Sequence, residues 1–256
     1  MIKYLIKIPL LKNLISSVGI RLMKYFNLNR RYFKINGINM FLDFLDPIDR
    51  IIILNKSYEQ EEINILTKLI KKNSITKFID VGSNCGFYSF NFASKNMEVF
   101  SFEPNSEANL KMNKTIIKNK ILQNKIKHYS FGISNINSKM KMKSLIKHGY
   151  VQTGGSTIFT GNKQSNYKLK VYEADFKIGD EVLNFKNERL SFKIDVEGHE
   201  LEVLQGISNL LDFNKIVLQV EIFENNFNKV NLYLNKKGYN LIDSVKKRSN
   251  YFYSNN

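Results

Sequence analysis

One cysteine in 256 residues, Cys85, leaves no partner for an internal disulfide and no ligand set for an all-cysteine zinc site. Cysteine usage therefore says little about redox compartment. Proline is nearly as scarce, at Pro9, Pro47 and Pro104. No stretch rich in Pro, Gly or Ser marks a linker, and no internal repeat occurs. No run of ~18 uncharged apolar residues is present, so no strong membrane-spanning helix is expected. The first 26 residues are apolar but broken by Lys3, Lys7, Lys12, Arg21 and Lys24. That interrupts the core a signal peptide needs, and no small-residue cleavage site stands out.

What is present is the composition of a globular protein, 43% hydrophobic and 12% aromatic. The length suits one sizeable α/β domain, or a domain plus an extension. The formal net charge of +16 would fit nucleic acid or an anionic surface. Only six of the basic residues are arginine, however. The lysines are spread along a chain heavy in Lys, Asn and Ile, a composition that an AT-rich genome also produces. Nucleic acid is therefore not the expected partner.

From Leu10 to Phe26, apolar residues recur at the spacing of one helix face. Residues 10–26 could cap the core, contact another subunit, or lie on a membrane surface as a basic amphipathic helix. A cytoplasmic protein is expected, peripheral to a membrane on the last of these readings. Residues 31–44 alternate around Asn36-Gly37, a favoured two-residue hairpin turn. SYEQEEINILTKLIKK (57–72) has a serine cap, early acids and closing lysines, and reads as a helix.

Beyond that point strand and helix patterns alternate. Strands are expected at 77–81, 98–103, 125–133, 168–174, 190–196, 215–223 and 238–243, with 251–254 as an added edge. Helices are expected at 86–95, 105–119, 199–211 and 226–237. Such alternation predicts an α/β fold with a mostly parallel sheet covered on both faces. Ligands of such sheets bind outside the carboxyl ends of the strands, where the topology switches direction.

The residues at those ends are informative. The first strand runs FIDVGSNCG (78–86), where Gly82 and Gly86 permit close backbone approach. The second ends in Glu103, 23 residues after Asp80, the place of an acid that accepts both ribose hydroxyls in nucleotide-binding sheets. The loop lacks the third glycine of the dinucleotide pattern, and no Gly-Lys-Ser/Thr follows as in a P-loop. Asp80 at its mouth would repel a pyrophosphate. It suits a ribose ligand with positive charge, such as the amino group and sulfonium of S-adenosylmethionine. Cys85 reads as a small loop filler. The loop after FGISN (131–135) should flank the adenine.

A later strand runs into Lys193-Ile-Asp195-Val-Glu197-Gly-His199-Glu200. Alternation puts Lys193, Asp195 and Glu197 on one side of the extended chain. Burying those charges without mutual pairing would be costly. Glu200 reads as a solvated charge at a helix start.

These segments resemble the FkbM-type methyltransferases, a branch of the class I S-adenosylmethionine-dependent enzymes. The resemblance spans roughly residues 48 to 243. It rests on SYEQEE, FIDVGSNCGFYS, FEPN, FGISN, TGGST (153–157) and above all FKIDVEGHELEVLQG (192–206). It implies a Rossmann-like, doubly wound, mostly parallel seven-stranded sheet over residues 48–256, with residues 1–47 as a helical and hairpin extension. It also implies that Asp80, Gly82, Asn84 and Gly86 line the methionine part of the cofactor while Glu103 holds the ribose. Family members mostly methylate hydroxyl groups on polyketides, sugars or other glycosylated molecules, so a small-molecule or glycan acceptor is expected.

Methyl transfer to a hydroxyl needs the acceptor oxygen held near attack distance and its proton removed. His199 has a suitable intrinsic pKa, ~6.5. Asp195 could orient it, take the proton itself, or ligate Mg²⁺ with Glu197. The sequence leaves these open. A nucleic-acid methyltransferase is the alternative, yet no Asn/Asp-Pro-Pro-aromatic motif and no Pro-Cys nucleophile occurs.

Overall fold

The computed structural model of the chain describes residues 18, 19, 21, 22, 25, 26, 28–147, 150–159, 161 and 168–255. The stretch at 10–26 lies outside the described residues except at six positions, of which Val18, Leu22, Tyr25 and Phe26 are exposed. β1 (Arg30–Ile35) and β2 (Ile38–Asp43) form the expected antiparallel hairpin. Asn36 and Gly37 take φ of 48° and 88°, the left-handed pair that matches the strands' own twist. Ile35, Met40 and Leu42 enter the core, and the Phe41 amide donates to Thr115 Oγ1 at 2.9 Å.

α1 (Pro47–Asn55) starts at Asp46, whose carboxylate accepts the Ile48 amide, with proline in the first turn. α2 (Gln60–Lys72) has the expected acids and lysines. Its cap differs: Glu59 takes that place in left-handed backbone, φ 46°, and Ser57 does not cap. Next come β3 (Lys77–Val81), α3 (Phe87–Ser94), β4 (Glu98–Phe102), α4 (Ser106–Lys118) and β5 (Ile126–Tyr129). A block of short and long strands follows, β6 (Gly132–Ser134), β7 (Ser138–Lys147), β8 (Tyr150–Val151), β9 (Thr157–Ile158) and β10 (Leu169–Ile178). The chain closes with β11 (Arg189–Ile194), α5 (Glu200–Gly206), α6 (Ser208–Phe213), β12 (Lys215–Glu221), α7 (Glu224–Lys236), β13 (Asn240–Val245) and β14 (Asn250–Ser254).

Seven strands make one sheet in the order β13-β14-β12-β11-β3-β4-β5. Pairings from β12 to β5 are parallel, and β14 runs antiparallel between β12 and β13. The doubly wound, mostly parallel seven-stranded sheet is thus present, with two changes of membership. Residues 250–254 lie inside the sheet and not at its edge, and 168–174 leave it for a second sheet. That second sheet has the order β6-β10-β7-β8, with β9 on β7. The single strand expected at 125–133 breaks at Ser130-Phe131 and feeds both sheets.

Alternation along the central strands sends side chains to two cores. Phe78, Val99 and Val217 meet Phe90 and Phe92 of α3 and the hairpin residues on one face. Ile79, Phe100, Phe192 and Leu218 meet Val203, Leu204, Val230 and Leu234 on the other. Each fully buried phenylalanine contributes about 1.5–3 kcal/mol. Truncating one that sits between layers, as in Phe192→Ala, costs about 3–5 kcal/mol through the cavity it leaves. From β3 the chain winds outward to β4 and β5, then returns to β11 on the other side. A crevice must open between the carboxyl ends of β3 and β11.

Candidate functional site

One wall of the site is built from the loop after β3. Gly82 takes φ 81°, and a Cβ there would lie 1.9 Å from the Asp195 carbonyl oxygen. Only glycine lets the two strand ends cross so closely. The Asn84 amide donates to Glu103 Oε2 at 2.8 Å, and the Asn105 amide to Glu103 Oε1 at 2.7 Å. Glu103 is 7% exposed. Burial pushes its pKa up to about 7, against the pull of those two amides. Asn84 Oδ1 is buried and has no hydrogen-bond partner among the described residues.

Asp80 and Gly86 sit behind this wall. Asp80 is fully buried on the face covered by α3, where its Oδ2 accepts from the Ser89 amide at 3.0 Å and the Ser89 hydroxyl at 2.6 Å. It does not line the cavity described below. Gly86 precedes α3 with φ 83°, and a Cβ there would meet Phe90 and Met112. Cys85 is buried, and burial pushes its thiol pKa well up, as suits a filler.

The opposite wall follows β11. Lys193, 4% exposed, is paired in register with Asp80 on β3 and Gln219 on β12. Its ammonium donates to Asp195 Oδ2 at 2.7 Å and stands over the Tyr88 ring, 4.9 Å from the centroid. Burial opposes that charge, but Asp195, Asp80 and Glu59 outweigh it and raise the pKa. Glu197 takes left-handed backbone, φ 55°. Burial, then Asp195 and Glu200, push its carboxyl up to about 7. His199 Nε2 is 2.9 Å from Ser134 Oγ, and Nδ1 is 3.5 Å from Glu202. Burial lowers its pKa. Glu200 is buried, not solvated as its position at a helix start suggested: its Oε1 accepts the Gly198 amide at 2.7 Å, which closes the turn beneath Glu197.

Gly82, Asn84 and Glu103 on one side and Asp195, Glu197 and His199 on the other share one cavity of about 660 Å³. Gly132 and Ile133, from the segment expected to flank the adenine, lie on it as well. Glu59, Tyr58 and Glu221 also line it and carry no role in the sequence reading. Glu59 accepts from Tyr88 Oη at 2.9 Å. Burial, then Asp195, push Glu221 up to about 9. Glu221 ends an apolar strand as Asp195 does, so the same strand-end rule points to it. Glu59 stands in SYEQEE, where nothing local marks it.

The cavity is thus acidic in a chain of net charge +16. Five carboxylates line it, Glu59, Glu103, Asp195, Glu197 and Glu221, against two basic side chains, Lys247 and Arg248, of which Arg248 is paired with Glu62 at 2.6 Å. Among the described residues no three His, Cys, Asp or Glu side chains are grouped to hold a metal ion. Pairing of Asp195 with Glu197 on Mg²⁺ therefore lacks a third ligand, and one Asp195 oxygen is taken by Lys193. Also among the described residues, no helix is long and apolar enough to cross a membrane.

Residues 80–241 match the family model of the methyltransferase FkbM domain. No curated protein matches the chain. Among solved structures it is similar to methyltransferase FkbM from Methylobacillus flagellatus KT at 13% identity, covering 70% of this chain and 43% of that one, TM-score 0.49. The chain thus spans less than half the length of that protein. It is also similar to the human methyltransferase 10 domain containing protein, at 10% identity over 94% and 95% of the two chains, TM-score 0.48. The N-terminal domain of human METTL16 in complex with SAH shares 14% identity over 85% and 75%, TM-score 0.45.

Proposed function

Because the chain belongs to the FkbM methyltransferase family, we propose that its cavity binds S-adenosylmethionine and that it methylates a hydroxyl of a sugar, glycan or small natural product. The observation that carries this reading is the acid-lined cavity at the sheet's switch point, with Glu103 on one wall and Asp195, Glu197 and His199 on the other. The chain's residues fit the cofactor. Glu103 keeps lone pairs beyond those its two amides use, enough for two ribose hydroxyls. Asn84 Oδ1, buried and unpartnered, calls for a donor. Five carboxylates against Lys247 and Arg248 leave an acidic excess, which favours a ligand that brings an ammonium and a sulfonium. When bound, S-adenosylmethionine supplies a methyl group already activated for displacement.

The reacting wall has to orient a hydroxyl and take its proton. Glu197, with its pKa pushed up to about 7, holds a proton more readily than an ordinary carboxylate and suits a general base near neutral pH. Asp195 stays fixed through Lys193 and accepts from the acceptor with its other oxygen. His199 lines the same wall, with Nε2 held 2.9 Å from Ser134 Oγ, and steadies it. Carboxylates outnumber Lys247 and Arg248 in the lining, so the basic charge of the chain as a whole does not by itself favour nucleic acid at this site.

The test is transfer of label from methyl-labelled S-adenosylmethionine to glycans and glycosylated natural products, with RNA and DNA in parallel. Label on a hydroxyl of the former is expected. Label on nucleic acid would overturn the acceptor class, and failure of the cofactor to bind would overturn the whole reading.

A further inference from the structure

The segment Thr153–Thr157 crosses the cavity as a strap between two acidic walls, and its anchors are unusually polar for buried contacts. At one end Asp46 Oδ2 accepts from the Thr153 amide at 2.9 Å and from its hydroxyl at 2.8 Å. Lys111 donates to Thr153 Oγ1 at 3.1 Å and pairs with Asp49 at 2.7 Å. In the middle, Asn105 Nδ2 donates to Ser156 Oγ at 2.9 Å, and Ser144 Oγ lies 2.8 Å from the same atom. Asn105 is the residue whose amide holds Glu103 Oε1. At the far end Thr157 Oγ1 donates to the Glu197 carbonyl at 2.9 Å, and the Gly155 amide reaches the Glu197 carboxylate.

We infer that this strap couples the two walls: Ser156 and Thr157 are positioning residues, and a nucleoside held by Glu103 tightens the backbone that holds Glu197. The inference rests on the cofactor reading above. Packing alone would not require it. A cover sheet could close with apolar side chains, whereas Asn105, Ser144 and Thr153 are all buried here and would be costly if unpaired. The path between the two acids runs from Glu103 through Asn105 to Ser156, and from there along the strap's backbone to Thr157, which holds the Glu197 carbonyl. Glu197 also needs holding, because a non-glycine residue in left-handed backbone persists only where its surroundings over-determine it. Gly154 packs closely on Ile48, whose Cδ1 would lie 2.2 Å from a Cβ placed there.

The coupling is read by hydrogen exchange over residues 154–158 with and without S-adenosylhomocysteine, binding being checked by calorimetry. In wild type the ligand is expected to slow exchange by ~tenfold or more, as a local opening equilibrium shifts. Thr157→Val removes only the hydroxyl at a position outside the cavity lining. It is expected to bind the ligand within a few-fold of wild type yet lose most of the slowing. Thr157→Ser keeps the slowing. Binding without slowing in wild type, or full slowing in Thr157→Val, overturns the coupling alone. The wild-type comparison needs no variant to fold. Failure of S-adenosylhomocysteine to bind overturns the cofactor reading and the coupling with it.

Discussion

Glu103 and Glu197 face each other across one cavity, and both carboxyls are pushed up to about 7. Burial is the largest cause at each, but the second cause has opposite sign. At Glu103 the backbone amides of Asn105 and Asn84 stabilise the anion. At Glu197 the neighbouring Asp195 and Glu200 repel it. Equal shifts therefore signal different designs. An acid whose two oxygens are fixed by the chain's own amides is a preorganised acceptor for ligand hydroxyls. An acid crowded by like charges gains from taking up a proton, which is what a base must do.

The sharpest way to break this comparison is Glu197→Gln, which keeps shape and removes basicity. Turnover on the true acceptor is expected to fall by ~10²–10⁴-fold, with cofactor affinity nearly unchanged because the loss falls on the transition state. In wild type the rate should fall as pH drops below about 7, where Glu197 gains a proton. Full activity in the Gln variant, measured by labelled methyl transfer, would remove Glu197 from that role.

His199 sharpens the contrast at smaller amplitude. Its Nε2 is held 2.9 Å from Ser134 Oγ, so His199→Ala is expected to cost about tenfold in turnover through loosening of the wall. A loss as large as that of Glu197→Gln, with an acid limb that follows the imidazole, would reassign the base to His199.

Glu221 tests the electrostatics without any acceptor. Its folded pKa of about 9 lies above the ordinary 4.5, so the folded state favours the protonated acid. That contribution is complete below the unfolded pKa and is lost as pH rises through the folded one. Glu221→Gln cannot ionise, so its melting temperature should exceed wild type by little near pH 5 and by a widening margin toward pH 9. A constant gap across that range would mean that the cavity is not as acidic as its lining implies.

Local chemistry made much of this legible in advance. Asn36-Gly37 dictates its turn, and acids or glycines at the ends of apolar strands mark where the cavity opens. Sheet membership was not local. KLKVYEADFKI alternates between half-buried and exposed residues, as a strand covered on one face does, whereas KIVLQVE is buried at all but its ends. That contrast separates a covering sheet from a central one. The insertion of β14 between β12 and β13 depends on pairing across the fold, which no local pattern carries. Glu59 meets Tyr88, 29 residues away, which no local pattern carries, whereas Glu200 turns back onto the Gly198 amide, a reversal that its place at a helix start conceals.

The central claim, that this crevice holds S-adenosylmethionine by its ribose at Glu103, is tested most directly by calorimetry on wild type and Glu103→Ala. Loss of a charge-assisted acceptor is expected to cost about 1.5–3 kcal/mol, tenfold or more in affinity. Wild-type binding should also weaken as pH falls through about 7, where Glu103 gains a proton. Unchanged affinity in Glu103→Ala, or a wild type that binds NAD in preference to S-adenosylmethionine, would contradict the claim.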